Sequence, residues 1–202
     1  MTIPELLNIM IGKSLTEQEL LNKIKQDPQH FSELFNLYYK PIFGYILRRT
    51  INCDESADIA AETFLKAYKH INKFSYRGIS VKVWLYRIAT NEINLYFRYK
   101  KKNESIFTRI DFENKELLRG LLNDDRKEIE AELHKHEQFL LMASILKMLH
   151  QKYQDVISLK YFEGKGNKEI SEILNIKEGT IKSLISRGIK KLRDEMQPNV
   201  KI

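Results

Sequence analysis

The sequence predicts an all-α protein, and three features of the 202-residue chain support this prediction. The four prolines lie at positions 4, 28, 41 and 198, so the long stretch from Ile42 to Gln197 contains none. A proline inside a helix costs about 3 kcal/mol, which makes such a stretch typical of successive helices. Apolar residues recur every three or four positions, and no segment alternates apolar and polar residues as a strand does.

A short helix is predicted near the start of the chain. Ser14 with Glu17, or Thr16 with Glu19, fits the capping-box pattern, in which a hydroxyl and a carboxylate each accept a backbone N–H. The sequence leaves open which pair forms the box. The helix that follows is expected to end near Lys25.

Three longer helices are predicted next. Phe31 to Ile51 carries apolar side chains at helical spacing. Asp54 can cap the following helix, in which one apolar stripe runs from Ala57 to Tyr68. Val81 to about Lys102 forms the third long helix on the same criterion.

The clearest local pattern lies between Asn167 and Arg193 and is that of a helix-turn-helix. Small Ser171 falls where the two helices cross closely, and Asn175 falls in the turn, whose left-handed backbone asparagine tolerates. The core positions of the unit are apolar: Ile170, Leu174, Ile176, Ile181 and Leu184.

The second helix of this unit has two contrasting faces. The residues expected to be buried are Ile181, Leu184, Ile185, Ile189 and Leu192. The polar and basic face comprises Thr180, Lys182, Ser183, Ser186, Arg187, Lys190 and Lys191. Such a face fits the major groove of DNA, where the first residues reach base edges and later cations reach phosphates. The alternative is an amphipathic hairpin that packs on protein only.

Aromatic and basic residues are interleaved between Phe74 and Lys102. Aromatic faces can stack on unpaired bases while neighbouring cations follow the phosphate backbone. Phe74 and Tyr76 precede a glycine in a predicted loop, so they are the better candidates for base contact. Trp84 lies at core spacing, and we predict that it packs.

The charges divide the chain into three parts. Residues 65–102 contain ten basic side chains and one acidic, and residues 150–202 contain eleven basic and seven acidic. Residues 103–133 contain five basic and nine acidic. Solvated helix faces could give one such patch, but two basic blocks favour two small DNA-facing helical domains joined by a flexible linker. We predict an amino-terminal extension (1–28), a helical domain (29–102), a linker (103–129) and a helix-turn-helix domain (130–196).

Composition restricts the class of protein. A net charge of +7 favours a polyanionic partner, although charge alone does not separate nucleic acid from an acidic membrane surface. The single cysteine, Cys53, excludes an internal disulfide and a cysteine-clustered metal site. No stretch approaches the roughly 20 apolar residues that cross a bilayer, and the start lacks the basic residues of a secretory signal. We therefore expect a cytoplasmic protein.

An enzyme is not predicted. Of the five histidines, His134 and His136 are closest, but two residues of a helix at that spacing point apart and cannot share a metal. The chain has no phosphate-binding glycine loop and no serine nucleophile motif. We expect no catalytic residue, metal, cofactor or small-molecule substrate.

Two stretches of the chain resemble the extracytoplasmic-function (ECF) group of bacterial RNA polymerase sigma factors. The first comprises ADIAAETFLKAY from Ala57, WLYRIA from Trp84, and Asn91. The second comprises YFEG from Tyr161, KEISEIL from Lys168, EGTIKS from Glu178 and KKLR from Lys190. Their order, their spacing and the total length all match.

The resemblance implies a division of labour. The first domain would bind the clamp of core RNA polymerase and capture the promoter −10 element as it melts. The second would place its recognition helix in the −35 element, while the linker threads through the polymerase. Members of the group catalyse nothing themselves, and the resemblance leaves open whether an anti-sigma factor binds.

By resemblance, the helix that meets the clamp presents four residues on one exposed or half-exposed face: Asp58, Glu62, Phe64 and Leu65. The loop from Phe74 to Val83 would form the pocket for an extruded base. The residues assigned to −10 capture are Phe74, Tyr76, Arg77, Asn91 and Arg98. The residues assigned to the −35 element are those of the polar face that begins at Thr180.

The chain departs from the family pattern at five positions. Ala61 stands where glutamine is common, Leu95 where aspartate is usual and Tyr99 where a basic residue is usual. In the recognition helix, Leu184 and Ile189 replace frequent arginines. The promoter sequence of a relative therefore cannot be transferred to this chain.

Two alternatives use the same residues differently. A helix-turn-helix repressor that recruits no polymerase would leave the clamp-facing helix and the Trp84 block unexplained. The other alternative is a sigma-like protein that binds core polymerase but does not melt promoters.

Overall fold

The computed structural model describes residues 16–75, 79–103 and 144–196, and within these ranges every regular element is helical, as predicted. The amino-terminal unit (residues 16–75 and 79–103) contains α1 (Glu17–Gln26), α2 (Phe31–Thr50), α3 (Cys53–His70) and α4 (Val81–Asn103). The carboxyl-terminal unit (residues 144–196) contains helical residues 144–148, α5 (Gln151–Ile157), α6 (Asn167–Leu174) and α7 (Glu178–Met196). Single 3-10 turns lie at Pro28–His30 and Ile71–Lys73, and Ser158–Phe162 is π-helical. The predicted linker (103–129) lies outside the described residues, apart from Asn103.

The amino-terminal unit is built on three long helices that pack against one another. α2 contacts both α3 and α4, and α3 contacts α4. Ile42 and Tyr45 of α2 and Leu85 of α4 have no exposed surface at the centre of this bundle. Burying such side chains is the main source of stability, at about 1.5–3 kcal/mol for a large aliphatic residue.

α1 packs onto this bundle, although it falls entirely within the predicted extension 1–28. Leu21 and Ile24 of α1 are buried. Glu17 accepts hydrogen bonds from the Tyr38 hydroxyl at 3.0 Å and from the Val81 N–H at 3.2 Å, so it ties the starts of α1 and α4 together.

The helix starts decide the two capping predictions. At α1 the Thr16–Glu19 box forms: the Thr16 hydroxyl accepts the Glu19 N–H at 3.3 Å, and the Glu19 carboxylate accepts the Thr16 N–H at 2.9 Å. At α3 the prediction for Asp54 is wrong, because Asn52 is the N-cap and accepts the Glu55 N–H at 2.9 Å. α3 begins earlier than predicted, and Asp54 lies in its first turn, where a carboxylate favours the positive end of the helix.

The helix-turn-helix prediction is confirmed in the carboxyl-terminal unit. Asn175 ends α6 with a φ of 54°, the left-handed conformation expected of it. Ser171 donates a hydrogen bond across the turn to the carbonyl of Ile176 at 2.6 Å. Ile181, Leu184 and Ile185 of α7 are buried, as expected. Ile189 and Leu192 are only partly buried, since they lie toward the free end of α7.

The two units contact each other directly. α6 packs along α4, and the π-helical turn at Ser158–Phe162 contacts α2. α7 packs on α5 and α6, so its opposite face remains in solvent.

Candidate nucleic-acid and protein interfaces

The polar face of α7 is presented to solvent by the burial of the opposite face. Thr180, Lys182, Ser186, Arg187, Lys190 and Lys191 are all exposed. Ser183 is half-buried and donates to the Thr180 carbonyl at 2.9 Å, so its hydroxyl is engaged within the helix in this state. The predicted residues are therefore brought together on one surface.

Lys182, one of the cations of this face, is weakly restrained. Lys182 lies 3.7 Å from Glu178, one helical turn away, and both side chains are about half exposed or more. A pair of this kind contributes little because water and salt screen it. Lys182 can exchange Glu178 for a phosphate at small cost.

A cavity of about 290 Å³ opens beside the start of α4. It is lined by His70, Lys73, Phe74, Ser75, Ile79, Trp84 and Arg87. The rings of Phe74 and Trp84 lie 4.7 Å apart at 34°, so the wall is aromatic. Lys73 of the 3-10 turn and Arg87 of α4 add positive charge. An aromatic wall with cations beside it suits a stacked base and its phosphates.

The cavity contains only part of the predicted −10 set. Phe74 lines it, as the sequence suggested, and is half-buried. Asn91 and Arg98 are exposed on α4 but do not line the cavity. Tyr76 and Arg77 lie outside the described residues.

Sequence reasoning missed other lining residues. The sequence predicts that Trp84 packs, and its ring does pack on Phe74. Trp84 is only half-buried, however, and it forms part of the cavity wall. Arg87 lies three residues after Trp84, so helical spacing places both on one side of α4 and could have identified it. His70 and Lys73 precede the loop, and the sequence gave no signal for either beyond the positive charge of Lys73.

The predicted clamp-facing surface of α3 is exposed for three of its four residues. Asp58, Glu62 and Leu65 follow helical spacing and are exposed, Leu65 by 44%. The prediction that Phe64 shares this exposed face is wrong. Phe64 is only 3% exposed, and its ring packs against Phe35 at 4.9 Å.

Charge and apolar area are combined on this side of the amino-terminal unit. Glu62 lies 3.5 Å from Lys66. Lys66 also donates a hydrogen bond to Glu92 at 2.6 Å, and this hydrogen bond raises the pKa of Lys66. Tyr68 is 46% exposed on the same helix. The surface therefore offers two carboxylates beside an exposed leucine and tyrosine, a combination suited to a protein partner.

The departures from the family pattern fall into two groups. Leu184 is buried and Ile189 half-buried, so both serve the packing of α7. Ala61 and Tyr99 are exposed, and Leu95 is half-buried. These three positions alter surface chemistry rather than the fold.

Two family models match the chain in the predicted order. "Sigma-70 region 2" matches residues 34–103, and "Sigma-70, region 4" matches residues 139–192. The first covers α2 to α4 with the cavity, and the second covers α5 to most of α7.

A curated protein and two solved structures extend this similarity over most of the chain. The ECF RNA polymerase sigma factor SigW of Bacillus subtilis is 32% identical over 186 residues, which are 90% of this chain and 98% of that protein. CnrH, solved with the cytosolic domain of CnrY, has a TM-score of 0.64 at 18% identity, covering 89% of this chain and 96% of its own. The sigma factor RpoE of Bartonella quintana, solved with the anti-sigma factor NepR, has a TM-score of 0.57 at 19% identity, covering 83% and 98%.

In the part of the chain that the structure describes, no helix is both long and apolar enough to span a bilayer.

Proposed function

Because this chain belongs to the ECF family of RNA polymerase sigma factors, we propose that its two helical units carry separate promoter contacts. The chain acts in transcription initiation, with core RNA polymerase and promoter DNA as its partners. The proposal concerns which residues make each contact. We also propose that the two domains span about residues 29–102 and 130–196, with α1 packed onto the first of them.

α7 reads the −35 element in this proposal. The observation that supports it is the contrast between its buried face, centred on Ile181, and its exposed polar and basic face. Thr180, Lys182 and Ser183 come first on the helix, where residues reach base edges. Arg187, Lys190 and Lys191 follow and neutralise phosphates.

The cavity beside α4 receives an extruded −10 base. Removing a base from its stack costs a few kcal/mol, and a pocket must repay this by stacking and hydrogen bonding. The Phe74–Trp84 wall supplies the stacking, and Arg87 and Lys73 supply positive charge for the backbone. Tyr76, Arg77, Asn91 and Arg98 stay in the proposal as contacts to the strand leading into or out of the cavity.

The exposed side of α3 contacts core polymerase. Asp58 and Glu62 provide charge, and Leu65 provides apolar area. Phe64 supports this surface from below by packing on Phe35, so its part is to position α3.

The chain catalyses nothing itself, takes no small-molecule substrate and works in the cytoplasm. An anti-sigma factor is proposed as a further partner; the similarly folded Bartonella quintana RpoE was solved with one.

Reconstitution tests the proposal against its alternatives. The protein is combined with core RNA polymerase on a genomic promoter library, and transcript 5′ ends are sequenced, with core enzyme alone as the control. We expect defined starts that share two upstream sequence blocks. Core binding without defined starts would instead indicate a factor that cannot melt promoters, and DNA binding without core binding would indicate a repressor.

A further inference from the structure

Glu163 links the carboxyl-terminal unit to two helices of the amino-terminal unit. Its carboxylate accepts from Arg48 Nε at 2.9 Å, from the second Arg48 nitrogen, and from the Tyr86 hydroxyl at 2.8 Å. The Glu163 side chain is only 6% exposed. Burial raises the pKa of the Tyr86 phenol, and the Glu163 charge adds to this effect, so Tyr86 remains a donor. α2 and α4 are thus both bound to the residue that follows the π-helical turn.

Arg49 forms a second and more deeply buried link. Its guanidinium is almost inaccessible in α2 and donates to Asp155 of α5. The other carboxylate oxygen of Asp155 accepts from Asn94 of α4 at 3.2 Å, and Asn94 in turn accepts from Gln151 at 2.6 Å. A buried guanidinium without a partner is strongly unfavourable, so Arg49 requires Asp155 as long as the units are together.

Arg87 forms the third link and belongs to the cavity. Its guanidinium donates to the carbonyl of Glu172 through Nε at 3.1 Å and through a second nitrogen. Glu172 lies in the last turn of α6, whose final carbonyls have no partner within the helix and attract cations. A side chain that lines the candidate base pocket is therefore bound to the opposite unit.

The three links favour a reversible contact between the units, because their partners are polar or charged. Three arginines of one unit meet two carboxylates and a helix end of the other. When the units separate, both partners of each pair return to water, so opening avoids the penalty of a lone buried charge. Lys165 has opposing effects at this interface: its ammonium stands 4.5 Å over the Tyr86 ring, an attractive cation–π contact, and lies 3.7 Å from Glu169, whereas burial, assisted by the charge of Lys82, lowers its pKa and disfavours the charged form.

We propose that the free protein is held closed by a latch made of Arg48–Glu163, Arg49–Asp155 and Arg87–Glu172, and that the latch keeps the Arg87 guanidinium on the Glu172 carbonyl, so that this charge is withheld from a −10 phosphate although Arg87 lines the cavity. The second clause rests on the proposed function, whereas the closed state does not. The −35 face of α7 stays exposed in the closed state, so the latch restrains base capture and leaves duplex recognition available.

Two measurements on the full-length free protein test the latch. The first is the distance between spin labels at Lys40→Cys of α2 and Lys168→Cys of α6, in a Cys53→Ser background. The second is the rate at which phenylglyoxal modifies Arg87, read by mass spectrometry, with exposed Arg98 as the internal reference. Neither needs DNA or polymerase, so failure of the latch is distinguishable from failure of the promoter assignments.

The test variant is Glu163→Gln, which keeps the side-chain shape and removes the charge. Since Glu163 bonds to the other unit, its own unit should stay folded, and circular dichroism checks this. The matched control is Glu55→Gln, which removes a 2.7 Å ion pair with Lys100 inside the amino-terminal unit. Arg48→Gln provides a second variant on the opposite side of the latch.

We expect a narrow distribution of distances between the two spin labels in the wild type and in Glu55→Gln. Glu163→Gln and Arg48→Gln should broaden this distribution and shift it to longer distances. The ratio of open to closed molecules should rise about tenfold, as loss of a charged hydrogen bond predicts. Arg87 modification should accelerate by a similar factor while Arg98 stays constant. A broad distance in the wild type would overturn the closed state, and an unchanged Arg87 rate in an opened variant would overturn the withholding of Arg87.

Discussion

Asp58 and Glu62 stand one helical turn apart on α3 with their carboxylates in solvent. Reversal of both charges, in Asp58→Lys with Glu62→Lys, should weaken binding to core polymerase by about tenfold or more, because complementary charges steer and orient a protein partner. Fluorescence anisotropy with labelled protein measures this affinity. Binding to duplex −35 DNA should not change, since that contact lies on α7.

Glu33→Lys is the control for this pair, because it reverses a partly exposed acid on α2. It should leave core affinity near the wild-type value. If the Asp58 and Glu62 variant also binds core polymerase normally, the clamp contact lies on another face.

Lys190 is exposed on the polar face of α7. Lys190→Ala should weaken binding to all duplex sequences about equally and lower the slope of log affinity against log salt by roughly 0.9, the value of one phosphate contact. Lys40→Ala on α2 is the control and should leave the slope unchanged. A loss confined to one sequence would make Lys190 a base reader.

Single residues also mark where sequence reasoning fails. Helical spacing separates the buried face of α7 from its exposed face. The same reasoning cannot decide whether Phe64 is exposed or buried. Its burial depends on Phe35 of α2, whose ring packs against it, and that contact between helices is not visible in the local sequence. Asn52 and Asp54 are equally good caps in sequence, and only the start of α3 at Cys53 selects Asn52.

At the scale of elements, Gly188 fixes the packing of α7 on α5. A Cβ at Gly188 would lie 2.8 Å from Ile157 Cδ1 and 3.4 Å from Tyr153 Cβ, and both side chains are buried. Gly188→Ala should therefore lose more from crowding than the roughly 1 kcal/mol that alanine gains in a helix. Chemical denaturation should give a lower free energy of unfolding than for the wild type.

Gly179 is the matched position on the same helix. A Cβ there meets nothing within 4 Å, so Gly179→Ala should keep or raise the free energy of unfolding. Equal stability of the two variants would mean that α7 shifts freely on α5.

The elements themselves were largely predictable from local patterns. Apolar spacing predicted α2 even though Pro41 lies inside it, because the buried face on both sides of the proline holds the helix together. Two features had no sequence signal. Ile51 adopts a left-handed φ of 57°, which an isoleucine disfavours, and residues Ser158–Phe162 form a π-helical turn that contacts α2.

At the scale of the whole molecule, the sequence predicted two basic modules but not their contact. Arg49 and Asp155 are 106 residues apart, and a count of charges cannot pair them. The arginines counted as DNA-facing charge include Arg87, whose guanidinium binds the Glu172 carbonyl in the closed state. The cavity was only partly predictable because its wall combines the end of α3, the loop and α4, and local patterns do not show how these segments come together.

The central claim is that one chain brings polymerase to a promoter and captures a melted base in the cavity beside α4. Permanganate footprinting of unpaired thymines tests it most directly, in reconstituted complexes of wild type, Phe74→Ala and Tyr99→Ala. Tyr99 is the control because it is an exposed aromatic residue on α4 outside the cavity. The account predicts reactive thymines at the −10 element with wild type and Tyr99→Ala, and at least a tenfold loss with Phe74→Ala while core and −35 binding persist. Full reactivity in Phe74→Ala, with core binding intact, would contradict it.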